Sequence, residues 1–151
     1  MDGGDELTLK LSKMVKANPA KEILKDTLRH MEFVAKSFVP QRTGNLFRSI
    51  SSEGPVTVSP SEYVGSVSAG DKATAPYAIH VEKGTGIYGY KKSPFTSPTG
   101  NFMVFEDRGR TVFALKIRGQ EGQHYIRKTF EEARDFYVPY RVREESFKYN
   151  L

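Results

Sequence analysis

Cysteine is missing from all 151 positions, so the chain has neither a disulfide framework nor a thiolate metal site. That fits a protein made in a reducing cytosol. Long apolar runs are missing too: nothing approaches the roughly 18–20 residues that a membrane span needs, so no transmembrane segment is expected. The opening stretch, MDGGDELTLK, is acidic and has no apolar core before a small-residue cleavage site, so it does not read as a secretory signal. Histidine occurs only three times, as His30, His80 and His124, and never at metal-ligand spacing with a carboxylate. Blocks of five or more like charges are also absent.

What is present is a modest positive excess. There are 23 Lys and Arg against 18 Asp and Glu, a net charge of +5 and a pI near 9.4. Many soluble domains carry such a charge for solubility. The sharper reading is work beside a polyanion such as DNA, and the lack of a charge block favours the plainer one.

Asn18-Pro19 starts a helix: Asn caps the free amides and Pro suits the first helical position. From there Leu24, Leu28, Met31, Ala35 and Phe38 recur at spacings of four and three, widened by Ile23 and Val34, until Pro40 ends the pattern. Ahead of it Leu7, Leu9, Leu11 and Met14 fit either a strand or a helix. After Gly44 the period falls to two. Val56 and Val58 form a short strand, Ser59-Pro60-Ser61 a turn, and Tyr63 to Val67 a returning strand. A second hairpin runs from Phe102 to Glu106, turns at Asp107-Arg108-Gly109 and returns from Thr111 to Ile117. Ile126, Phe130, Ala133 and Tyr137 then mark a helix expected to end before Pro139, leaving residues 140–151 as a C-terminal arm that orders against a partner.

This order predicts one α+β domain over residues 1–151. A central antiparallel sheet of about four strands would carry the long N-terminal helix and the C-terminal helix, with residues 1–17 as an N-terminal segment. Residues 84–101 form a long loop with four glycines and two prolines, a length that is usually functional or disordered.

That loop opens with Gly84-x-Gly86-x-x-Gly89, the spelling of a dinucleotide-binding turn. Such a turn needs a helix beginning at the last glycine, whose amides face the pyrophosphate. Here Tyr90-Lys91-Lys92-Ser93-Pro94 follows, and Pro94 and Pro98 are incompatible with a helix interior. The kinase and Walker arrangements are also missing. Nor does an active site emerge. His30 reads as a solvated helix-face residue, the adjacent pairs Glu131-Glu132 and Glu144-Glu145 point apart on a helix, and no serine lies in a nucleophile elbow. No catalytic residue, metal or cofactor is expected. The loops do carry Arg42, Arg48, Lys83, Lys91, Lys92, Arg108 and Arg110, which would make salt-sensitive phosphate contacts if they faced DNA.

Three stretches taken together resemble a known family. Val39-Pro40-Gln41-Arg42-Thr43-Gly44-Asn45-Leu46 is similar to its Pro-x-x-Thr-Gly-x-Leu. Tyr77-Ala78-Ile79-His80-Val81-Glu82-Lys83-Gly84-Thr85 is similar to its Tyr-Ala-x-x-Val-Glu-x-Gly-Thr. Tyr125-Ile126-Arg127-Lys128-Thr129-Phe130 falls where the family has a Pro-Phe-led C-terminal helix, with His124 in place of the usual proline. The family is the head–tail joining proteins of long-tailed bacteriophages, called neck, tail-completion or minor structural proteins. The resemblance runs from the first helix to Tyr137; its first two motifs are fairly specific and the third is loose.

The resemblance implies a structural subunit and no enzyme. Copies would form a homo-oligomeric ring, a hexamer among the options, around the DNA channel of the virion neck. The partners it implies are an adjacent head-completion or connector protein, a tail terminator or tail tube protein, and the genomic DNA passing through, with no membrane. The protein would be met in the host cytoplasm during assembly and at the head–tail junction of the virion. It also implies that Pro40, Thr43, Gly44, Leu46, Tyr77, Glu82, Gly84 and Thr85 are structural. Gly44 and Gly84 would turn corners at positive φ, with the Thr43 and Thr85 hydroxyls bonding backbone there. Glu82 is read either as pairing with Arg42 or Arg48 or as a solvated carboxylate. Ile87, Tyr88, Tyr90 and Phe95 give the loop the aromatic content of a subunit interface, and both faces of the 102–115 hairpin are apolar. The alternative is a basic, sequence-independent nucleic-acid-binding domain.

Overall fold

The computed structural model describes residues 18–40 and 44–148. The Leu7–Met14 pattern, Arg42 and Thr43 lie outside the described residues. Helix α1 spans Pro19–Phe38 and a short α2 spans Asn45–Ser49. Strands β1 (Ser51–Ser59) and β2 (Glu62–Ser68) form a hairpin, followed by a six-residue α3, Ala78–Lys83. Next come β3 (Phe95–Thr96), β4 (Met103–Asp107), β5 (Arg110–Ala114) and β6 (Lys116–Ile117). The chain closes with α4 (Tyr125–Glu132), a π-helical turn over Ala133–Tyr137, and α5 (Val138–Lys148). It is a mixed helix-and-strand fold with small antiparallel sheets. Among the described residues no helix is long and apolar enough to cross a membrane.

The strands do not merge into one central sheet of about four. They form three two-stranded sheets, β1–β2, β3–β6 and β4–β5. The chain divides into two compact units, residues 18–69 with 126–148 and residues 70–125, and the β1–β2 hairpin falls in a different unit from the others.

In the first unit α1 lies on β1–β2. Leu28, Met31 and Ala35 are buried as the helical spacing predicts, whereas Phe38 at the end of the stripe is exposed and Val39 is buried in its stead. Gly65 on β2 makes the contact close: a Cβ there would sit 2.3 Å from a Leu28 methyl. Glu32 ties helix to strand. It accepts from Lys36 Nζ at 2.6 Å and from the Ser52 amide and hydroxyl at 3.1 and 2.6 Å. The Lys36 bond first, and Ser52 second, hold its carboxyl below the usual range. Asn18 is not a side-chain cap; its φ is +47, and its Nδ2 donates to the Tyr63 hydroxyl. Between α1, β2 and α4 runs an apolar groove of about 480 Å³, lined by Leu24, Leu28, Val67, Ile126 and Phe130 among others.

The C-terminal helix does not stop before Pro139, and residues 140–148 are not an arm but the body of α5. The π turn explains why. Val138 N–H bonds the carbonyl of Ala133, five residues back, which widens the helix where the proline ring would clash with a carbonyl four residues back. The helix is fastened by Arg141, which bonds Asp26 on α1 and Glu144, each at 2.5 Å. His30 is not a solvated face residue either: its Nε2 lies 2.9 Å from Glu132, and its ring stacks on Tyr137 at 3.8 Å.

Candidate functional site

In the second unit residues 84–89 cross residues 118–122 at backbone contact. Thr85 and Ile87 amides donate to the carbonyls of Gln120 and Arg118 at 2.7 and 2.8 Å, and the Gln120 amide donates to Thr85 Oγ1 at 2.9 Å. A Cβ on Gly86, whose φ is +61, would stand 2.1 Å from the Arg118 carbonyl oxygen, and one on Gly84 2.7 Å from the Gly122 nitrogen. The glycines therefore admit the crossing chain. Gly84, Thr85, Ile87, Tyr88 and Gly89 amides all donate to protein carbonyls, so a phosphate would find little to bind there. Thr85 does bond backbone, though to a segment 35 residues away.

Beside the crossing opens a cleft of about 440 Å³. It brings together Lys83, Ile87, Tyr88, Tyr90 and Lys92 with His124, and Glu121 is the one opposing charge. Tyr90 is 98% exposed, and Lys92 and His124 hold positive φ of 50° and 53°, a strained arrangement for non-glycine residues. Lys91 is exposed next to it. Sequence reasoning set His124 aside with the other histidines; only the return of 118–124 past 84–89 places it here. Just inward, Tyr125 is buried, and its hydroxyl is pushed up to about 12, first by burial and then by the Glu82 charge.

The β4–β5 hairpin displays several large apolar side chains. Its turn, Arg108-Gly109, has positive φ at both positions (49° and 75°), the type I′ form that suits a right-handed strand twist. The register is Met103↔Ala114, Val104↔Phe113, Phe105↔Val112, Glu106↔Thr111 and Asp107↔Arg110. One face therefore carries Phe102, Val104, Phe113 and Leu115, which are 63%, 59%, 64% and 53% exposed. On the other face Met103, Val112 and Ala114 are half-buried and Phe105 is 37% exposed.

The remaining expected residues are dispersed. Pro40 is exposed; Gly44 precedes α2 at φ +71; Leu46 is buried; and Arg48 donates to Asn45 Oδ1 at 3.0 Å. Tyr77 precedes α3, and Phe95 faces Ile117 across β3–β6, a pairing the sequence did not reveal. Arg108 and Arg110 sit at the hairpin turn, apart from the cleft lining that holds Lys83 and Lys92. Among the described residues no group of three potential metal ligands occurs. The chain matches no protein-family model, no curated protein matches its sequence, and no solved structure matches its fold.

Proposed function

We propose that this protein is a structural subunit of a phage head–tail connector, a neck or tail-completion protein. It assembles as a homo-oligomeric ring around the DNA channel, joining the portal side of the head to the tail. In this reading it catalyses nothing and takes no cofactor. Its neighbours are a head-completion or connector protein, and a tail terminator or tail tube protein. The observation that carries the reading is the apolar ribbon of Phe102, Val104, Phe113 and Leu115, which a lone copy leaves in water. The two motif corners add support: Gly44 and Gly84 hold positive φ, and the Gly84 stretch serves chain crossing. Location is the test. Labelled protein is expected at the head–tail junction of virions, and deleting its gene should leave filled heads and tails unjoined. Normal plaques from the deletion would sink the reading.

The cleft supports a second reading, a basic nucleic-acid-binding domain, because Lys83, Lys92 and His124 gather with two tyrosines. It predicts DNA affinity that falls steeply with salt and is lost when Lys83, Lys91 and Lys92 become Ala.

A further inference from the structure

We propose that neighbouring copies join through their β4–β5 hairpins, β5 of one copy pairing antiparallel with β4 of the next. This rests on the ring reading above and specifies its contact. In a two-residue hairpin the pair flanking the turn is hydrogen-bonded, here Asp107↔Arg110, and so are alternate pairs beyond it. The amides and carbonyls of Val104 and Glu106 on one edge, and of Thr111 and Phe113 on the other, therefore point outward. Among the described residues no third strand meets either edge.

The two main hairpins treat their edges differently. β1–β2 carries Pro55 and two register shifts, irregularities that blunt an edge against foreign strands. β4–β5 runs five consecutive pairs without a shift, proline or lysine, and its charges, Glu106, Asp107 and Arg110, gather at the turn end, which leaves the rest of each edge open to pairing. A two-stranded sheet is marginal in water, and further strands are what it lacks.

A second copy is the occupant these features select. A partner adding one strand would satisfy one edge. Copies repeating β4–β5–β4–β5 satisfy both, continue the apolar face, and close without an edge when the ring closes. With all hairpins pointing one way, the turn end of β5 lies beside the turn end of the next β4. Arg110 of one copy then stands near Asp107 of the next. A β4-to-β4 contact would reverse one hairpin and lose that opposition of charge.

The cysteine-free sequence makes the test clean. Glu106→Cys and Thr111→Cys are made in separate preparations and treated, alone and mixed, with a thiol cross-linker spanning about 6 Å, shorter than the roughly 9.5 Å between like positions two strands apart. The pairing predicts cross-linked chains on mixing and none from either alone. Cross-links from Glu106→Cys alone, or none on mixing, overturn it. Val104→Pro removes an outward N–H and leaves the hairpin's own ladder intact. Light scattering should show its self-association at least tenfold weaker, and wild-type association by a folded Val104→Pro chain overturns the proposal. A protein missing from head–tail junctions would remove the neck reading and leave mixed cross-linking standing. Lost mixed cross-linking in a protein found there removes this contact alone.

Discussion

Single side chains fasten the C-terminal helix. Arg141, 14% exposed at its side chain, holds Asp26 and Glu144 and lies 3.5 Å from Glu145. Its Nε has no partner among the described residues, so the guanidinium is not fully repaid for its burial. Removing it would still cost more than keeping it, because Glu145 is buried and, among the described residues, keeps Lys148 alone. Arg141→Ala is therefore expected to lose about 2–3 kcal/mol in urea unfolding, and Arg141→Lys, a single point of charge, to recover only part of that. Tyr125 yields a pH dependence. Its hydroxyl titrates at about 12 in the fold against about 10 in the unfolded chain. Between those values the unfolded chain has released a proton that the fold keeps, so stability falls as pH rises, by on the order of 2 kcal/mol in all. Denaturant midpoints of wild type and Tyr125→Phe compared from pH 9 to 12 should show this extra alkaline slope in the wild type only. Equal slopes would refute the assignment.

At the scale of elements, the glycine crossing is where fold and sequence motif meet. Gly86 and Gly100 both hold positive φ, but a Cβ on Gly86 strikes the Arg118 carbonyl while one on Gly100 meets nothing within 4 Å. Gly100→Ala should thus cost only the backbone term, about 1 kcal/mol, and Gly86→Ala about 3 kcal/mol or more. Equal losses in thermal unfolding would mean that the two segments are not locked there. The same loop shows what was legible beforehand. The 3.6-residue stripe of α1 and the alternating runs near 56–67 and 102–115 are local patterns, and local patterns survive in one dimension. Proline signals a stop at 139 because its clash is local too; the π turn that accommodates it depends on hydrogen bonds five residues long that no propensity encodes. Pairings such as Phe95↔Ile117 and Gly84↔Glu121 join segments more than 20 residues apart, through stretches with no alternation to betray them. The cleft was half-visible for this reason: Lys83, Tyr88 and Tyr90 sit in one run, whereas His124 arrives from the far side of the crossing.

For the molecule as a whole, burial and display are unevenly divided. Leu28, Met31, Ala35, Val39, Leu46, Ile50 and Ala133 are buried in the first unit, whereas in the second only Ala75, Ala78 and Tyr125 are buried hydrophobics. Residues 70–125 are held more by backbone bonds and glycine contacts than by a side-chain core, and they carry the hairpin whose large side chains face water. Local opening is cheapest where few apolar contacts must break, so hydrogen exchange should rank the two units. In the isolated chain the amides of Leu28 and Met31 should exchange slowest. Those of Phe105 and Val112, bonded within the hairpin, should be weakly protected, and the outward amides of Val104 and Phe113 should exchange near the free rate. Assembly should slow Val104 and Phe113 most, because they gain bonds they lacked, while Leu28 changes little. A hairpin already as protected in the lone chain as α1 would mean that it is complete by itself, and the reason for expecting sister copies to pair with its edges would be gone.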